Sequence, residues 1–455
     1  MDWTFLEVVN LLGLNASEIN DANIQAVSTD TRTLQPGDLF IALQGDQFDA
    51  HGFLDQAFQK GASGAIVRKM PESFPYIDRC LCVDDTLKAL QTLAGKYRER
   101  FSIPVIAITG SNGKTTTKEM TAAVLGTTMN VAKSPGNLNN HIGVPLSILD
   151  WKSETEAAVV EMGANHIGEI WTLSEIARPT HGTITNIGKG HLGLFGSIEG
   201  VARAKSELID FIQQNAGTAI LNGDDPHLKP LQKLVSSRIT FGMSKSCDVR
   251  AIEILPQELG RYGFEIEDQS IVLQVPGRHM IWAALAAYAV GKSLDIPATA
   301  IAEALNGFKP FKQRMEIERI GDVILINDAY NANPSSVLAA LQTLKDLPNL
   351  KRRIAVLGDM LELGEYSVQE HEAIGQTAPK MGIDMLLGFG PSACHAVEAF
   401  KTQGAEAVHF EDQDDLTEHL LSILQTGDGV LVKGSRGMRM EQVVEAIKNG
   451  FTETR

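Results

Sequence analysis

The chain has 455 residues, 44% of them hydrophobic and 21% charged, and a formal net charge of -16. At about 100 to 200 residues per domain, this length predicts two to four domains, and we expect three. The acidic balance argues against a general binder of nucleic acid or anionic membranes, so small-molecule partners are expected, although a local basic pocket can still hold a phosphate.

Residues 1–85 mix short apolar runs with turns, which predicts a small α/β domain. The first residues lack the basic flank and apolar core of an export signal. No run in the chain approaches the roughly 20 apolar residues of a membrane span, so we expect a cytoplasmic protein with no integral membrane association. The four cysteines lack the spacing of metal ligands and are expected to be reduced.

Two polar loops in this first region could bind a ligand or could simply be turns, and the residue types alone leave both readings open. The candidate binding residues are Ser28, Thr29, Asp30 and Arg32 in segment 28–32, and Gly45, Asp49 and His51 in segment 45–52. An amphipathic helix with apolar positions at 87, 90, 93, 94 and 97 then leads to the next domain.

An apolar run at 105–108 leads into Thr109-Gly110-Ser111-Asn112-Gly113-Lys114-Thr115-Thr116, which predicts a strand followed by a phosphate-binding loop. Glycines let backbone N–H groups close on an oligophosphate, Lys114 can reach the outer phosphates, and the Thr115 hydroxyl can hold Mg²⁺. The general pattern has a glycine where this chain has Ile108, so the loop is a tighter subtype. An ordinary glycine turn would leave the lysine and the threonines unexplained.

Three downstream residues could serve the same loop. Glu161 ends the apolar run 157–161, and strand ends face the ligand crevice of a parallel sheet, so it could share Mg²⁺ with Thr115; a solvated strand-end acid is the alternative. His191 lies in the glycine-rich loop 188–196 after a predicted strand at 182–187, a placement that packing explains poorly. Lys205, in a predicted helix, would by itself be read as a surface lysine.

From about residue 314, strands and helices alternate again. Apolar runs at 323–326, 354–359, 385–390 and 429–435 predict a parallel sheet covered on both faces. We therefore expect an α/β fold of three domains: a small α/β N-terminal domain at 1–85, a central P-loop mononucleotide-binding parallel sheet at 86–313, and a Rossmann-like C-terminal domain at 314–455. The last domain is expected to lend residues to the central site.

The joint order of these motifs resembles the ATP-dependent Mur ligases, the amide-forming enzymes of peptidoglycan precursor synthesis, over essentially the whole chain. The family's phosphate loop corresponds to 109–116, its acid to Glu161, its histidine to His191 and its modified lysine to Lys205. Segment 328–334, Asp-Ala-Tyr-Asn-Ala-Asn-Pro, resembles the member that adds D-alanyl-D-alanine to UDP-N-acetylmuramoyl-tripeptide. The Asp-Asn-Pro-Arg motif of the diaminopimelate-adding member is not found.

The resemblance implies ATP and Mg²⁺ as cofactors and an acyl-phosphate intermediate. It implies catalytic roles for Lys114, Glu161, His191 and Lys205. The implied metal ligands are Thr115, Glu161, His191 and Lys205, with Lys205 carbamylated. Nucleotide contacts are implied for 109–116, Arg314 and Asp328, and substrate contacts for the two N-terminal loops, Asn139, Asn140, Asn331 and Asn333. We expect a monomer that acts on small molecules.

One departure concerns the adenine. After Gly277-Arg278-His279 the family places two asparagines where this chain has Met280 and Ala283, so the resemblance does not supply the adenine contact there. We expect ATP use to survive, because the positions that contact the triphosphate and magnesium are intact.

Several other functions are compatible with parts of this pattern. Another Mur ligase, adding diaminopimelate or lysine, and a folylpolyglutamate synthetase-like ligase are the alternatives, although the latter lacks a UDP-binding first domain. A P-loop GTPase-like switch would need an Asn-Lys-x-Asp-type motif, which is not found, and a protein using ATP structurally is the remaining class. The sequence does not distinguish lysine from diaminopimelate as the third residue of the accepted tripeptide.

Overall fold

The N-terminal region folds around a small parallel sheet, in a computed structural model that describes residues 3–14, 21–45, 48–70, 74–309 and 313–452. An antiparallel pair, β1 (Trp3–Thr4) and β2 (Asn23–Ile24), precedes four parallel strands in sheet order: β3 (Val27–Ser28), β4 (Leu39–Ile41), β5 (Gly64–Val67) and β6 (Cys80–Cys82). The helices are α1 (Phe5–Leu11), α2 (Leu54–Gln59) and α3 (Thr86–Arg98), with 3-10 turns at Ala50–Phe53 and Ile77–Arg79.

The predicted amphipathic helix before the phosphate loop is confirmed as α3. Asp85 caps it, because its side chain accepts hydrogen bonds from the backbone N–H groups of Leu87 and Lys88. Leu90 and Leu93 are buried on its inner face. The helix therefore begins at a capping residue and packs through the predicted apolar stripe.

The central region contains a seven-stranded parallel sheet. Its strands are β7 (Val105–Thr109), β8 (Val131–Lys133), β9 (Ala157–Glu161), β10 (His181–Ile184), β11 (Thr218–Asn222), β12 (Arg238–Gly242) and β13 (Val249–Arg250), in the spatial order β13-β12-β11-β10-β7-β9-β8. Its helices are α4 (Lys114–Leu125), α5 (Gly143–Leu149), α6 (Glu169–Ala177), α7 (Leu192–Phe195), α8 (Ile198–Gln214), α9 (Lys229–Gln232), α10 (Met280–Ser293) and α11 (Ala298–Asn306). Because β7 lies between β9 and β10, the loops after these three strands meet at one edge of the sheet.

A separate antiparallel sheet accompanies the central one. It consists of β14 (Ile252–Pro256), β15 (Tyr262–Ile266) and β16 (Gln269–Val272), with a 3-10 turn at Glu258–Gly260. Residues 252–272 are thus mainly β-structure.

The C-terminal region contains a six-stranded sheet. Its strands are β17 (Glu316–Ile320), β18 (Val323–Asp328), β19 (Arg352–Gly358), β20 (Met385–Phe389), β21 (Glu406–Phe410) and β22 (Asp428–Lys433), in the order β17-β18-β22-β19-β20-β21. Its helices are α12 (Pro334–Asp346), α13 (Ser367–Thr377), α14 (Ala393–Lys401), α15 (Gln413–Ile423) and α16 (Glu441–Thr452), with 3-10 turns at Gly364–Tyr366, Pro379–Met381 and Arg436–Met438. All pairings are parallel except that of β17 with β18, which confirms the predicted parallel sheet.

Two buried apolar clusters join the three regions. One contains Phe5 and Ile66 of the N-terminal region together with Val105 of the central sheet. The other contains Met120 of the central region and Val337 of α12. The central region thus packs against both neighbouring regions.

Three observations bear on the class of protein. Within the described ranges, no helix is both long and apolar enough to cross a membrane. All four cysteines lie in those ranges and are free, which agrees with the expectation that they are reduced. No group of three or more His, Cys, Asp or Glu side chains in the described residues is arranged to hold a metal by itself.

Candidate active site

The phosphate loop is fastened to the loop that follows β10. Ser111 N donates to the carbonyl of Asn186 (3.0 Å), and Asn112 N donates to its side-chain oxygen (3.1 Å). A Cβ at Gly110, where φ is 146°, would lie 1.8 Å from Thr185 Oγ1, so only glycine fits there. β10 ends at Ile184, before the predicted end at 187, because residues 185 and 186 turn to bond this loop.

The remaining loop residues occupy the positions that the motif predicts. Thr109 ends β7, and Lys114 begins α4 directly after Gly113, whose φ is 77°. Thr115 is buried and Thr116 half-buried in the first turn of that helix. The helix N-terminus therefore points its free N–H groups and its positive dipole end at the loop.

Lys114 lies among charged groups from three parts of the chain. Its Nζ donates to the carbonyl of Gly110 (2.8 Å). Burial lowers the pKa of Lys114, the charge of Glu161 opposes that shift, and the charge of Arg314 adds to it. An acid of β9 and an arginine beyond the central sheet therefore both act on this lysine.

Glu161 is a buried acid, so the alternative of a solvated strand-end carboxylate is wrong. It is 2% exposed, and its Oε1 accepts a hydrogen bond from Asn139 Nδ2 (2.8 Å). Its Oε2 is buried and has no hydrogen-bond partner among the described residues. A buried carboxylate oxygen without such a partner fits the hard oxygen ligands that Mg²⁺ prefers.

Lys118 is a charged residue of this site that the sequence analysis missed. It is fully buried, and its Nζ donates to the carbonyls of Ser134 (2.8 Å) and Gly136 (2.9 Å). The same Nζ lies 3.1 Å from Glu119 and 3.8 Å from Glu161. The signal available was its spacing: it follows Lys114 by one helical turn, on the face of α4 toward the loop after β8.

His191 and Lys205 are close enough to Lys114 to affect one another. His191 has φ 55°, and its Nδ1 lies 2.6 Å from Oε2 of Glu362. Burial lowers the pKa of His191, Glu362 opposes the shift, and the charges of Lys114 and Lys205 add to it. Glu362 is a second residue that the sequence analysis did not single out.

Lys205 is 2% exposed on α8, so the reading of it as a surface lysine is wrong. Burial, together with the charge of Lys114, lowers its pKa to about 7. Its Nζ lies 5.9 Å from the centre of the Phe195 ring. A substantial fraction of this amine is therefore uncharged at neutral pH and able to act as a nucleophile.

The C-terminal region brings its predicted residues to the same edge. Asp328 accepts hydrogen bonds from Lys433 Nζ (2.5 Å) and from the backbone N–H of Met315 (3.1 Å). The Arg314 guanidinium lies 4.0 Å from the centre of the Tyr330 ring. These contacts hold the two predicted nucleotide residues at the carboxyl end of β18.

The two asparagines of segment 328–334 differ in what they contact. Asn333 Nδ2 donates to Asn112 Oδ1 of the phosphate loop (2.7 Å). Asn331 accepts from Lys433 Nζ through its carbonyl (2.7 Å) and from Arg436 N through its side chain (3.4 Å). Asn333 thus contacts the phosphate loop from the C-terminal region, whereas the contacts of Asn331 stay within its own region.

Many of the predicted substrate residues of the N-terminal loops serve local structure. Asp30 accepts from the backbone N–H of Arg32 (2.9 Å) and pairs with its guanidinium (2.6 Å), and the Ser28 hydroxyl donates to the Asp30 carbonyl (3.1 Å). Asp49 caps a 3-10 turn and contacts His51 Nδ1 (2.6 Å). Asp46 and Gln47, also in the second predicted loop, lie outside the described residues.

Three further predicted residues have structural surroundings of their own. Thr29 is half-buried between Ser28 and Asp30, and Gly45 N donates to the carbonyl of Phe48 (2.8 Å). The Asn140 side chain accepts from the N–H groups of Ile142 (3.2 Å) and Gly143 (2.9 Å), where α5 begins. Arg32 has 87% of its side chain exposed, although its guanidinium is paired with Asp30.

Family models match the two larger regions of the chain. Residues 108–291 match the Mur ligase middle domain, and residues 313–436 match the domain described as Mur ligase, glutamate ligase domain. The UDP-N-acetylmuramoyl-tripeptide--D-alanyl-D-alanine ligase of Bacillus subtilis is 38% identical over 93% of this chain and 93% of its own. The chain belongs to the Mur ligase family.

This Mur ligase is similar to solved structures of MurF over nearly its whole length. MurF from Acinetobacter baumannii superposes with a TM-score of 0.90 at 32% identity and covers 99% of both chains. MurF from Thermotoga maritima in complex with ADP superposes with a TM-score of 0.84 at 29% identity, over 95% of this chain and 99% of its own. The likeness therefore includes the N-terminal region, which neither family model spans.

The start of α10 is where this Mur ligase departs from the expected adenine contact. Met280 and Ala283 are both buried. The neighbouring Trp282 donates its indole N–H to Asp224 (2.8 Å). Two apolar side chains thus stand where the family resemblance predicts amides.

Proposed function

We propose that this chain is an ATP-dependent ligase that joins D-alanyl-D-alanine to UDP-N-acetylmuramoyl-tripeptide and forms a C–N bond. Relatives that match nearly its whole length carry that name. The observation that supports the chemistry is the grouping of Lys114, Glu161, His191 and Lys205 around one phosphate loop, through the charge interactions described above.

The reaction activates a carboxylate before it forms the amide. A free carboxylate is a poor acylating agent, so the tripeptide carboxylate takes the γ-phosphoryl group of ATP and becomes an acyl phosphate. The dipeptide's amine then attacks the carbonyl carbon, loses a proton, and phosphate leaves. Both partners of the first step are anions, and the ammonium of Lys114 with the N–H groups of 110–116 would neutralise their charge as they approach.

Mg²⁺, when bound, would neutralise phosphoryl charge during this transfer. Thr115 and Glu161 would hold one ion, and His191 with Lys205 would hold a second. For the second position Lys205 would carry CO₂ as a carbamate, because an ammonium would repel the metal whereas a carbamate oxygen would bind it. The burial of Lys205 and its lowered pKa support capture of CO₂ by the neutral amine.

The three regions would divide the remaining tasks. We assign the UDP-sugar to domain 1–85, with Arg32 the most exposed cation of its two loops, the nucleotide to domain 86–313, and the dipeptide to domain 314–455. Arg314 and Asp328 would contact the nucleotide from beyond the central sheet. Asn139, held by Glu161, and Asn331 and Asn333 would face the substrates. All of these substrates are small molecules, so a monomer in the cytoplasm would be able to carry out the reaction.

The adenine would be held by apolar contact at this end of α10. Met280 and Ala283 offer no side-chain hydrogen bond. The polar atoms on the edge of the adenine would therefore receive fewer hydrogen bonds than in a site with amide side chains. Use of ATP would then depend mainly on the triphosphate contacts at 110–116.

Phosphate release tests the proposal. The purified protein is incubated with ATP, Mg²⁺ and UDP-N-acetylmuramoyl-tripeptide, with either lysine or diaminopimelate at the third position, and with one candidate amine at a time. D-alanyl-D-alanine should release phosphate and yield the pentapeptide by mass spectrometry, whereas D-glutamate, lysine and diaminopimelate should release little. Preference for a single amino acid would replace this assignment with another Mur ligase activity.

A further inference from the structure

His191 and Glu362 meet from two different sheets, each with an unusual backbone. The imidazole Nδ1 lies 2.6 Å from Oε2 of the carboxylate. His191 follows β10 of the central sheet, and Glu362 follows β19 of the C-terminal sheet. φ is 55° at His191 and 62° at Glu362, in the left-handed region that costs a residue with a side chain about 1 kcal/mol or more. Two such residues at one contact indicate a geometry held for function.

We propose that Glu362 is a positioning residue for His191, delivered by the C-terminal region, and that it sets which ring nitrogen faces the reacting groups. The inference rests on the proposed function only in the role given to His191. Glu362 itself touches no reacting group in this scheme, because its carboxylate lies beside Nδ1.

The contact favours one tautomer of a neutral imidazole. Nδ1 lies 2.6 Å from the carboxylate oxygen, but the two are not aligned as a hydrogen bond, so Nδ1 has no hydrogen-bond partner among the described residues. A proton on Nδ1 would replace repulsion between the lone pair and the carboxylate by attraction, and a small rotation of the ring would then make the hydrogen bond. The lone pair then belongs to Nε2. Histidines that bind metals are commonly oriented in this way, by a carboxylate on the other ring nitrogen.

Backbone contacts keep Glu362 beside the histidine loop. Gly193 N donates to the carbonyl of Glu362 (3.1 Å), and the Tyr366 hydroxyl donates to the carbonyl of Gly196 (2.8 Å). A Cβ at Gly193 would lie 2.6 Å from the backbone nitrogen of Gly364, so the two backbones touch because neither residue has a side chain. Orientation of His191 therefore requires the C-terminal region to be docked on the central one.

A second ion pair across the same boundary offers a matched control. Lys189 lies two positions before His191 in the same loop, and its Nζ is 2.6 Å from Oε1 of Glu370. Glu370→Gln removes an interregion charge pair of the same kind without touching the imidazole. Effects of Glu362 variants that exceed those of Glu370→Gln report on His191 rather than on docking in general.

The tautomer is measured directly by ¹⁵N NMR on histidine-labelled protein without metal or nucleotide, near pH 8, with the His191 signal assigned by its loss in His191→Gln. We expect an Nδ1–H tautomer in the wild type and in Glu370→Gln, and a shift toward Nε2–H in Glu362→Ala. Gly193→Val, which keeps the carboxylate but pushes the two backbones apart, should give the same shift. An Nε2–H wild type, or an unchanged signal in Glu362→Ala, overturns the proposal.

Steady-state kinetics provide the second readout. Glu362→Ala should lower kcat by about 10-fold to 100-fold with KM for ATP within about twofold, and Glu362→Gln, which keeps an acceptor, should recover much of the loss. Glu370→Gln should stay within about threefold of the wild type. Equal losses in Glu362→Ala and Glu370→Gln would contradict a role through His191. If the wild type does not ligate D-alanyl-D-alanine, the proposed function fails, whereas the NMR result still decides this inference.

Discussion

Asn333 Nδ2 donates a 2.7 Å hydrogen bond to Asn112 Oδ1, although the two residues are 221 positions apart. The other end of the Asn333 side chain accepts from Ser336 N (3.0 Å) and so caps α12. One amide thus begins a helix of the C-terminal region and contacts the phosphate loop of the central region. The two functions of the side chain can be separated by substitution.

Asn333→Asp should lower kcat/KM for ATP without lowering stability. The aspartate keeps the helix cap but loses the N–H donor and places a negative charge beside Asn112 and the incoming phosphates. Asn333→Ala should lose both contacts, with a fall in the free energy of unfolding of about 1 kcal/mol. Urea unfolding and ATP kinetics on both variants check this. Equal losses of stability in the two variants would contradict separate roles for the oxygen and the N–H group of the Asn333 side chain.

Lys114→Ala should lower ligation by at least about 10²-fold while the melting temperature stays within a few degrees of the wild type. Among the described residues, the hydrogen bonds of the ammonium go to its own loop carbonyls, at Gly110 (2.8 Å) and Ser111 (3.4 Å), so its removal breaks no hydrogen bond between elements of that part of the chain. Phosphate release and thermal unfolding give the two numbers. Near wild-type turnover would remove the phosphate loop from the mechanism.

Lys118→Met should destabilise the fold far more than Lys133→Met, although both lysines pair with Glu119. Lys118 is fully buried, so its loss leaves the carbonyls of Ser134 and Gly136 without their donor and removes a buried cation from beside Glu119 and Glu161, at a cost of about 3–5 kcal/mol. The side chain of Lys133 is 47% exposed, and its loss should cost about 1 kcal/mol or less. Chemical denaturation of the two variants checks the difference, and similar midpoints would contradict it.

The order of elements around the phosphate loop could be predicted from the sequence because its signals are local. An apolar run ending in Thr109 and the glycines at 110 and 113 specify strand, turn and helix within a dozen residues. Glu161 was placed correctly at a strand end, but its burial depends on Asn139 and Lys118, which approach from other elements. Burial of a charge is a property of tertiary packing, which periodicity does not report.

Other features could not be predicted for the same reason. β17 lies at a sheet edge and alternates polar and apolar residues (Glu316, Ile317, Glu318), so it lacks the continuous apolar run that indicates a buried strand. β21 lacks such a run as well. Glu362 precedes Gly364 in a segment that reads as a turn, and only the packing of the C-terminal region brings it to His191. The N-terminal loops were ambiguous from residue types, and Asp30 and Asp49 do act as turn and cap residues.

His279 should make stability rise with pH between about pH 4 and 6.5. Burial lowers its pKa to about 4, with the charge of Asp328 opposing and that of Lys433 adding to the shift. In this window the unfolded chain binds more protons than the folded chain, so the free energy of unfolding increases with pH. In His279→Asn this contribution disappears, so the difference between wild type and variant should grow from pH 4 to 6.5 and then level off. A difference independent of pH would contradict a neutral imidazole in the folded chain.

Lys205→Ala should abolish ligation, and a short-chain carboxylate such as acetate or propionate should restore part of it. The substitution removes the proposed carbamate and leaves a cavity on α8 beside Phe195, where a small anion could supply the missing oxygen ligands. Lys205→Met fills that space with an apolar side chain, so it should be inactive and not rescued. Mass spectrometry at neutral pH should find the wild type heavier by one CO₂ when bicarbonate is present. A fully active Lys205→Ala, or equal rescue of both variants, would rule out a carboxylate at this position.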